Sequence, residues 1–593
     1  MCGIAGIAWS HTATPCDPSI LQRMAASLAH RGPDGSHIVR LDQADFIHTR
    51  LAIIDPQGGD QPLRSDSATL IANGEIYNDP DIRKKFASSL YKTGSDCESA
   101  LRLWEQEGTA FTAGLRGMYA IAIHDTRSRE LTLSRDPFGI KPLYIASFPG
   151  GIIFASEAQT ILASGLVQPA INSERRDELL QLGFTTGRPT IYPGIRRILP
   201  GETIRITNGQ ISWSGKQRAL PAGNAEEISE EDAIKRLDAA LTDSIRVHER
   251  ADVPFGMFLS GGIDSAAVLA TMKRFRDHSG DAAPLLAWTA TFDVPGAADE
   301  SAAAAEMAKA AGAQHHILKI HKDDVWRNLP SIVAAMDDPV ADYAIIPTWL
   351  LAREASKEVR VVLSGEGGDE LFAGYGRYRT ALRPWWRGGR RPWRRGIFDG
   401  TSILRSTICR NARWRDGITT AAMNVADAPT RLATFQATDI AEWLPNDLLT
   451  KLDRCLMAHG IEGRTPLLDP AIANASWRLP DRLRLHGKTG KWLLRTWLAQ
   501  HFPAAQPFAP KQGFTVPIGN WIESDSRQIG QLVASDPCIQ EIAFPERVRA
   551  LFLNASGRRE RHAAWTLLFY VLWHRIHIRG IPADGDLLST LAA

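Results

Sequence analysis

Residues 255–265, FGMFLSGGIDS, decide how the second half of this chain folds. An apolar run from Phe255 to Leu259 breaks into Ser260, Gly261 and Gly262, then Asp264 and Ser265, after which Ala266-Ala267-Val268-Leu269-Ala270 reads as the first turns of a helix. Strand, glycine turn, helix is the order in which an α/β protein presents backbone N–H groups and a helix N-terminus to a phosphate. No Gly-Lys-Ser/Thr follows the glycines, so this is not a Walker A loop. The bland reading is a serine/glycine turn between two elements, and the flanking sequence has to decide.

Outward from this unit the chain keeps alternating. Residues 287–292 and 315–320 predict strands, with an alanine-rich helix over 301–311 between them, and such alternation predicts a parallel sheet. A second β-branched run, Val359-Arg360-Val361-Val362-Leu363, feeds Ser364-Gly365-Glu366-Gly367-Gly368-Asp369. Ligands of parallel sheets sit at the carboxyl ends of the strands, where both glycine turns fall. An acid just past each set of glycines would put Asp264 and Asp369 around one Mg2+, which prefers a carboxylate or two, waters and substrate phosphates. Asp369 is equally suited to cap a helix. Upstream, residues 230–247 carry Ile234, Leu237, Leu241 and Ile245 at helical spacing. Turn-rich sequence before it places a linker at 205–228, dividing a domain over 1–204 from one over 229–593.

The totals fit this division. A length of 593 residues calls for more than one domain, and 44% apolar with 23% charged residues describes a globular chain. A net charge of +2 argues for no polyanionic partner. Cys2, Cys16, Cys97, Cys409, Cys455 and Cys538 form no C-x-x-C pair and no metal spacing, which suits a reducing cytoplasm. The N-terminus has no basic region followed by an apolar run, and the apolar stretch 563–573 is too short to span a bilayer. The expectation is a soluble cytoplasmic protein without a membrane partner.

The first residues are Met1-Cys2-Gly3-Ile4-Ala5-Gly6. Once the methionine is removed, Cys2 carries a thiol and a free α-amine whose pKa of about 7.7–8.0 lets it act as base for its own side chain. Then come His30-Arg31-Gly32-Pro33-Asp34-Gly35, Arg50-Leu51-Ala52-Ile53-Ile54-Asp55, Asn73-Gly74-Glu75-Ile76-Tyr77-Asn78, Gly94-Ser95-Asp96 and Arg135-Asp136-Pro137-Phe138-Gly139-Ile140-Lys141-Pro142. In this order the motifs resemble the glutaminase domain of class II glutamine amidotransferases, N-terminal-nucleophile hydrolases, in the form found in asparagine synthetases. The Ser-Gly-Gly-x-Asp-Ser pattern likewise resembles the pyrophosphate loop of enzymes that split ATP between its α and β phosphates. Asp337-Asp338-Pro339-Val340-Ala341-Asp342, His459-Gly460-Ile461-Glu462-Gly463-Arg464-Thr465-Pro466, Lys491-Trp492-Leu493-Leu494-Arg495 and Lys511-Gln512-Gly513-Phe514 extend the likeness through the second half.

The resemblance implies an α+β domain of stacked antiparallel sheets between helices, followed by an α/β parallel-sheet ATP-pyrophosphatase-type domain. It implies Cys2 as nucleophile and Asn73 with the Gly74 N–H as oxyanion hole. Arg50, Leu51, Ile54, Asn73, Gly74, Glu75 and Asp96 are implied as the glutamine site. For ATP it implies Leu259, Ser260, Gly261, Gly262, Asp264, Ser265, Phe292, Ser364, Gly365 and Lys491, with Glu366 supporting acyl-adenylate formation. Each has a plainer reading: Arg50 as a surface cation, Asp96 as the cap of a helix starting near Cys97. The implied enzyme is a glutamine-dependent asparagine synthetase working with ATP, Mg2+ and aspartate, as a homodimer. Two rivals stand beside it. One is an amidotransferase of the same fold acting on a peptide or metabolite carboxylate, since Gly460 to Pro466 departs from the Ser-Leu-Glu-Val-Arg-Val-Pro frequent in relatives. The other is a single-strand nucleic-acid binder using residues 383–395, RPWWRGGRRPWRR, six Arg and three Trp without an acid. Near-neutral charge favours a surface loop or subunit contact for that stretch, and nucleic acid is not expected as a partner. Residues 397–449 carry no functional signal.

Overall fold

The computed structural model describes all residues except 1, 14–16, 281–283, 295–299, 391, 394, 406–407, 409–411, 426, 511–515 and 556. The Lys511-Gln512-Gly513-Phe514 motif therefore lies outside the described residues. The first unit contributes strands β1 (Cys2–Trp9), β2 (Gly35–Leu41), β3 (Ala44–Arg50), β4 (Leu63–Arg64), β5 (Ala68–Ile76) and β6 (Gly117–Asp125). It continues with β7 (Leu131–Arg135), β8 (Tyr144–Phe148), β9 (Gly151–Ala155), β10 (Ile195–Arg197), β11 (Glu202–Thr207) and β12 (Gln210–Lys216). These form two six-stranded sheets, ordered β10-β8-β9-β1-β3-β2 and β12-β11-β7-β6-β5-β4, with antiparallel neighbours throughout.

The period-2 alternation of β1 shows why the sheets stack. Ile4 and Ala8 point into a core shared with Phe46, Ile71, Ala120, Ala122 and Phe154. Ala5, Ile7 and Trp9 point the other way, onto Leu21, Met24 and Leu28, the first two from helix Pro18–Ser27, which Asp17 caps through the Ser19 N–H. On the far face of the second sheet, Leu70, Ala72, Ile121 and Ile123 meet Leu101 and Leu103 of helix Glu98–Glu107. Two antiparallel sheets thus lie between helices, as expected.

The linker expected over 205–228 is shorter than that. Strand β11 runs through Thr207, and β12 returns beside it from Gln210 to Lys216. Asn208 and Gly209, at φ 51° and 69°, make the two-residue turn whose backbone twist matches a hairpin. That Asn-Gly pair was the legible signal for strand instead of linker.

The second unit opens with helix Glu230–His248, capped by Ser229 through the Asp232 N–H and acidic in its first turn. Strands β13 (Phe255–Phe258), β14 (Leu286–Phe292), β15 (Gln314–Ile320), β16 (Val361–Leu363) and β17 (Glu462–Arg464) follow. They pair in parallel in the order β15-β14-β13-β16-β17. Succession runs one way from β13 to β15 and the other way from β16 to β17, so the order reverses between β13 and β16. A crevice opens at such a reversal, and both glycine turns sit there.

The stretch 397–449 resolves into helices Asp416–Asn424 and Arg431–Thr438, then a π-helical segment Asp439–Leu448 that runs into helix Leu449–Met457. Residues 563–573 are apolar because helix Arg558–His577 buries them, with Trp565 Nε1 donating to the Ala341 carbonyl at 2.7 Å and Trp573 Nε1 to that of Met336 at 2.9 Å. Within 383–395, Trp385 and Trp386 are 85% and 62% exposed, whereas Trp393 donates to Asp439 Oδ1 at 2.9 Å. Among the described residues no helix is long and apolar enough to cross a membrane.

Candidate active site

Two centres are built, one in each unit. In the first, the β1–β3 register sets Cys2 opposite Arg50. Cys2 is buried; its N–H donates to Asn73 Oδ1 at 3.2 Å, and Arg31 Nε donates to its carbonyl at 3.3 Å. Burial pushes the Cys2 thiol up, against the amino-terminal charge and a hydrogen bond from the Leu51 backbone. With Oδ1 of Asn73 turned to Cys2, its Nδ2 is left buried without a hydrogen-bond partner. A buried amide donor with nothing to bond is costly unless a ligand supplies the acceptor. Next along β5, Gly74 lies opposite Tyr119 of β6.

Arg50 is held by its own loop: Nη2 donates to the Asp55 carbonyl at 2.7 Å, Nη1 to the Pro56 carbonyl at 2.9 Å and to Asp60 Oδ1 at 2.8 Å. Asp60 is largely exposed, so an incoming carboxylate could take its place. Ile54 is half-buried on the same loop. Asp96 does not cap the helix at Glu98; Cys97 occupies the cap position without a side-chain bond. Instead the Asp96 carboxylate accepts from the Ile76 N–H, and burial raises it to about 6. Glu75 is raised well above its usual range by burial and by Asp96 beside it. Two buried acids on one wall suit an ammonium.

The second centre is a cavity of about 750 Å3 lined by Leu259, Ser260, Gly261, Gly262, Asp264, Ser265, Ser364, Gly365, Glu366, Asp369 and Lys491 among others. Serine hydroxyls shape its first loop: Ser265 Oγ accepts from the Ser260 N–H at 3.2 Å and Ser260 Oγ from the Gly262 N–H at 3.1 Å. Glu300 takes the Gly261 N–H at 3.1 Å. Lys491 joins the two loops, its ammonium 2.6 Å from Asp369 Oδ1 and bonded to Asp264 Oδ2. Its backbone is held at φ 56°, a setting the surrounding structure must impose. A Cβ at Gly374 would lie 1.7 Å from Asp369 Oδ1 and 2.1 Å from Lys491 Cε, so only glycine leaves room for this contact. Two carboxylates converging on one cation are a donor set that fits Mg2+. Burial raises Glu366, opposed by Lys451, and Lys451 Nζ is itself bonded to Asp342 Oδ2 at 2.9 Å.

Phe292 departs from expectation. From β14 the cavity wall takes Trp288, Thr289 and Ala290 but not Phe292, whose ring meets Trp521 edge-on at 5.8 Å. Phe292 ends the strand, and an aromatic neighbour outside the crevice captures its ring.

Sequence reasoning missed the seam between the units. Arg31, fully buried, donates to Glu157 Oε1 at 2.7 Å and to Asp453 Oδ2 at 2.8 Å. Arg197 Nε donates across the seam to Asp338 Oδ2 at 2.7 Å, and Arg454, tied to Asp337 Oδ1 within the second unit at 2.6 Å, brings Nη1 to 3.7 Å from Glu157 Oε1 of the first. Arg116 Nε donates to Asp469 Oδ2 at 2.9 Å. The Asp337-Asp338 motif therefore binds the units together, Asp337 also accepting the Gln159 N–H of the first unit at 3.1 Å. Losing one partner of such a buried pair typically costs about 3–5 kcal/mol, because the other charge is stranded.

An amino-terminal cysteine beside an unpartnered amide, joined to a parallel-sheet crevice with paired acids, defines an amidotransferase built on an N-terminal-nucleophile unit and a nucleotide-splitting unit. The family profile described as glutamine amidotransferase domain matches residues 1–217, and that described as asparagine synthase matches 236–575. A Mycobacterium tuberculosis protein provisionally named a glutamine-hydrolyzing asparagine synthetase is 34% identical, covering 94% of each chain. Glutamine-hydrolyzing asparagine synthetase 1 of Bacillus subtilis is 29% identical over 98% of this chain and 97% of its own. Asparagine synthetase B of Escherichia coli is 26% identical over 92% and 87%. The chain belongs to the asparagine synthase family.

Proposed function

We propose that the protein is a glutamine-dependent asparagine synthetase with two separable sites: one in the first unit, which runs through β12, for glutamine, and one in the second unit, from residue 229 on, for ATP and aspartate. Cys2 attacks the glutamine side-chain amide, and the oxyanion forms against Asn73 Nδ2 and the Gly74 N–H. Arg50 receives the α-carboxylate, Glu75 and Asp96 the α-ammonium, with Leu51 and Ile54 completing the wall. In the second site the loop from Leu259 to Ser265, with Ser364 and Gly365, cradles ATP while the aspartate side chain attacks its α-phosphorus and pyrophosphate leaves. Asp264 and Asp369 would hold Mg2+, which supplies charge neutralisation to the phosphates. Lys491, displaced from the acids, then turns to the pyrophosphate. Glu366 supports formation of the acyl-adenylate. Phe292 stays outside this assignment.

The observation that carries the reading is the seam: buried pairs such as Arg31–Asp453 and Arg197–Asp338 span the junction of the two units out of reach of solvent. Ammonia that met bulk water would be protonated and would cease to be a nucleophile. Incubation with glutamine, ATP-Mg2+ and aspartate is expected to give asparagine, AMP and pyrophosphate in step. A panel of other carboxylic acids, run alongside, replaces the aspartate assignment if one of them supports faster pyrophosphate release. The second reading, another acceptor, is favoured by Gly463 and Thr465 in the stretch that departs from the family pattern, and by the 29% identity over 60% of this chain to an amidase of Penicillium rubens. A cytoplasmic site fits the free thiols of Cys2, Cys97, Cys455 and Cys538. The homodimer is carried by family likeness, and sedimentation tests it.

A further inference from the structure

Arg464 has no exposed surface and ends the edge strand β17. Its guanidinium makes contacts in three directions. Nη2 lies 3.3 Å from Glu75 Oε2 in the first unit. Nη1 donates to the His248 and Arg250 carbonyls, both at 2.7 Å. Nε donates to Glu462 Oε1, which shares the strand. Its main chain reaches the other centre: Arg464 lies opposite Leu363 in the parallel ladder, and its carbonyl accepts the Ser364 N–H at 2.9 Å. One residue therefore touches an acid of the glutamine wall with its side chain and the second nucleotide loop with its backbone.

Each end of this link stops at a polar atom that is buried and has no hydrogen-bond partner. At one end that atom is Glu75 Oε1, at the other Ser364 Oγ. An arginine needed only to neutralise Glu462 would have no reason to reach Glu75, since Lys141 also bears electrostatically on Glu462. Glu462 of the same strand holds the guanidinium at Nε, and the His248 and Arg250 carbonyls hold it at Nη1, so its position answers both to β17 and to the end of helix Glu230–His248.

We propose that Arg464 is a positioning residue that couples the two sites, transmitting a shift of the Ser364 loop to Glu75. This rests on the function proposed above, since it takes Glu75 to meet glutamine and Ser364 to meet ATP. Glu75 keeps Oε2 on Arg464 and offers Oε1 to the glutamine ammonium, so closing the nucleotide loop sets the geometry of that carboxylate. Coupling of this kind is reciprocal: glutamine would tighten nucleotide binding by the factor that nucleotide tightens glutamine binding.

The test follows the rate at which Cys2 is alkylated by a diazoketone analogue of glutamine, 6-diazo-5-oxonorleucine, with and without ATP-Mg2+ plus aspartate. In the unaltered protein the nucleotide and acceptor should change this rate about fivefold or more. In Arg464→Lys the change should vanish, and glutamine-supported synthesis should fall about tenfold relative to ammonium-supported synthesis in the same preparation. A merely structural ion pair would lower both syntheses together and leave their ratio intact. An unaltered protein whose alkylation ignores ATP and aspartate overturns the link, whether or not the variant folds. So does a lysine variant that keeps both the response and the ratio. If the unaltered protein neither reacts at Cys2 nor releases pyrophosphate, the proposed function falls first, and the link with it.

Discussion

The Cys2 centre and the Lys491 centre are made in opposite ways. The first is a product of strand register: β1 against β3 sets Cys2 beside Arg50, and the Cys2 N–H engages Asn73 Oδ1 so that Nδ2 is left buried without a hydrogen-bond partner. Asp60, an exposed acid lying on Arg50, is the group a glutamine carboxylate would displace. The second is a product of loops, and an ion pair closes it, with Lys491 bridging Asp264 and Asp369. On the function proposed, nucleotide and metal would have to break that bridge. The contrast teaches that, on the same reading, the glutamine site is framed by strand register and answers to the nucleotide loop only through Arg464, whereas the ATP site opens only when its substrate breaks the Lys491 bridge.

Breaking either side of the contrast gives distinct losses. Cys2→Ala should lower glutamine-supported synthesis by roughly four to six orders of magnitude, the scale of losing a nucleophile, while synthesis from ammonium continues. Loss of both activities would show that the centres are not separable. Asp264→Asn should do the converse, with pyrophosphate release down on the order of a hundredfold and glutaminase retained; unchanged pyrophosphate release removes Asp264 from the metal site. Asn73→Ala should cost about 2.7–4 kcal/mol in the glutaminase barrier, a drop of about 10²–10³ in kcat. A smaller drop would mean that Nδ2 is not the oxyanion donor.

The smallest effect concerns pH. Burial raises Asp96 to about 6, so the folded protein binds its proton more tightly than the unfolded chain, whose value is about 3.9. Ionising Asp96 therefore costs stability as pH rises from about 4 to about 6. Bound glutamine supplies an ammonium that offsets this cost, so the rise in Tm on adding glutamine should grow over that window. Its KM should increase as pH falls below about 6. A glutamine-induced rise in Tm that is flat across these pH values would take Asp96 out of the glutamine wall.

What was legible in the sequence is what local pattern controls. The strand–glycine–helix unit at Ser260, the second loop at Ser364 and the helix capped by Ser229 are each written within a few consecutive residues. The Cys2, Asn73 and Asp96 motifs could be read because a family orders them. The seam could not be read, since Arg31 and Asp453 are 422 residues apart and neither carries a local signal for the other. Strand β17 was hidden because Glu462-Gly463-Arg464 has no β-branched or alternating pattern; pairing with β16 alone makes it a strand. Glu300 lacked a motif, and Phe292 was placed by family position though its ring turns to Trp521.

The central claim is that ammonia passes from the Cys2 centre to the Glu366 centre without meeting solvent. It is tested by supplying glutamine labelled with 15N in its side-chain amide, together with a large excess of unlabelled ammonium, and weighing the asparagine formed. A sealed passage predicts asparagine carrying the label in nearly every glutamine-derived turnover, whatever the ammonium concentration below that which saturates direct synthesis. Label diluted to the isotopic ratio of the medium would contradict it.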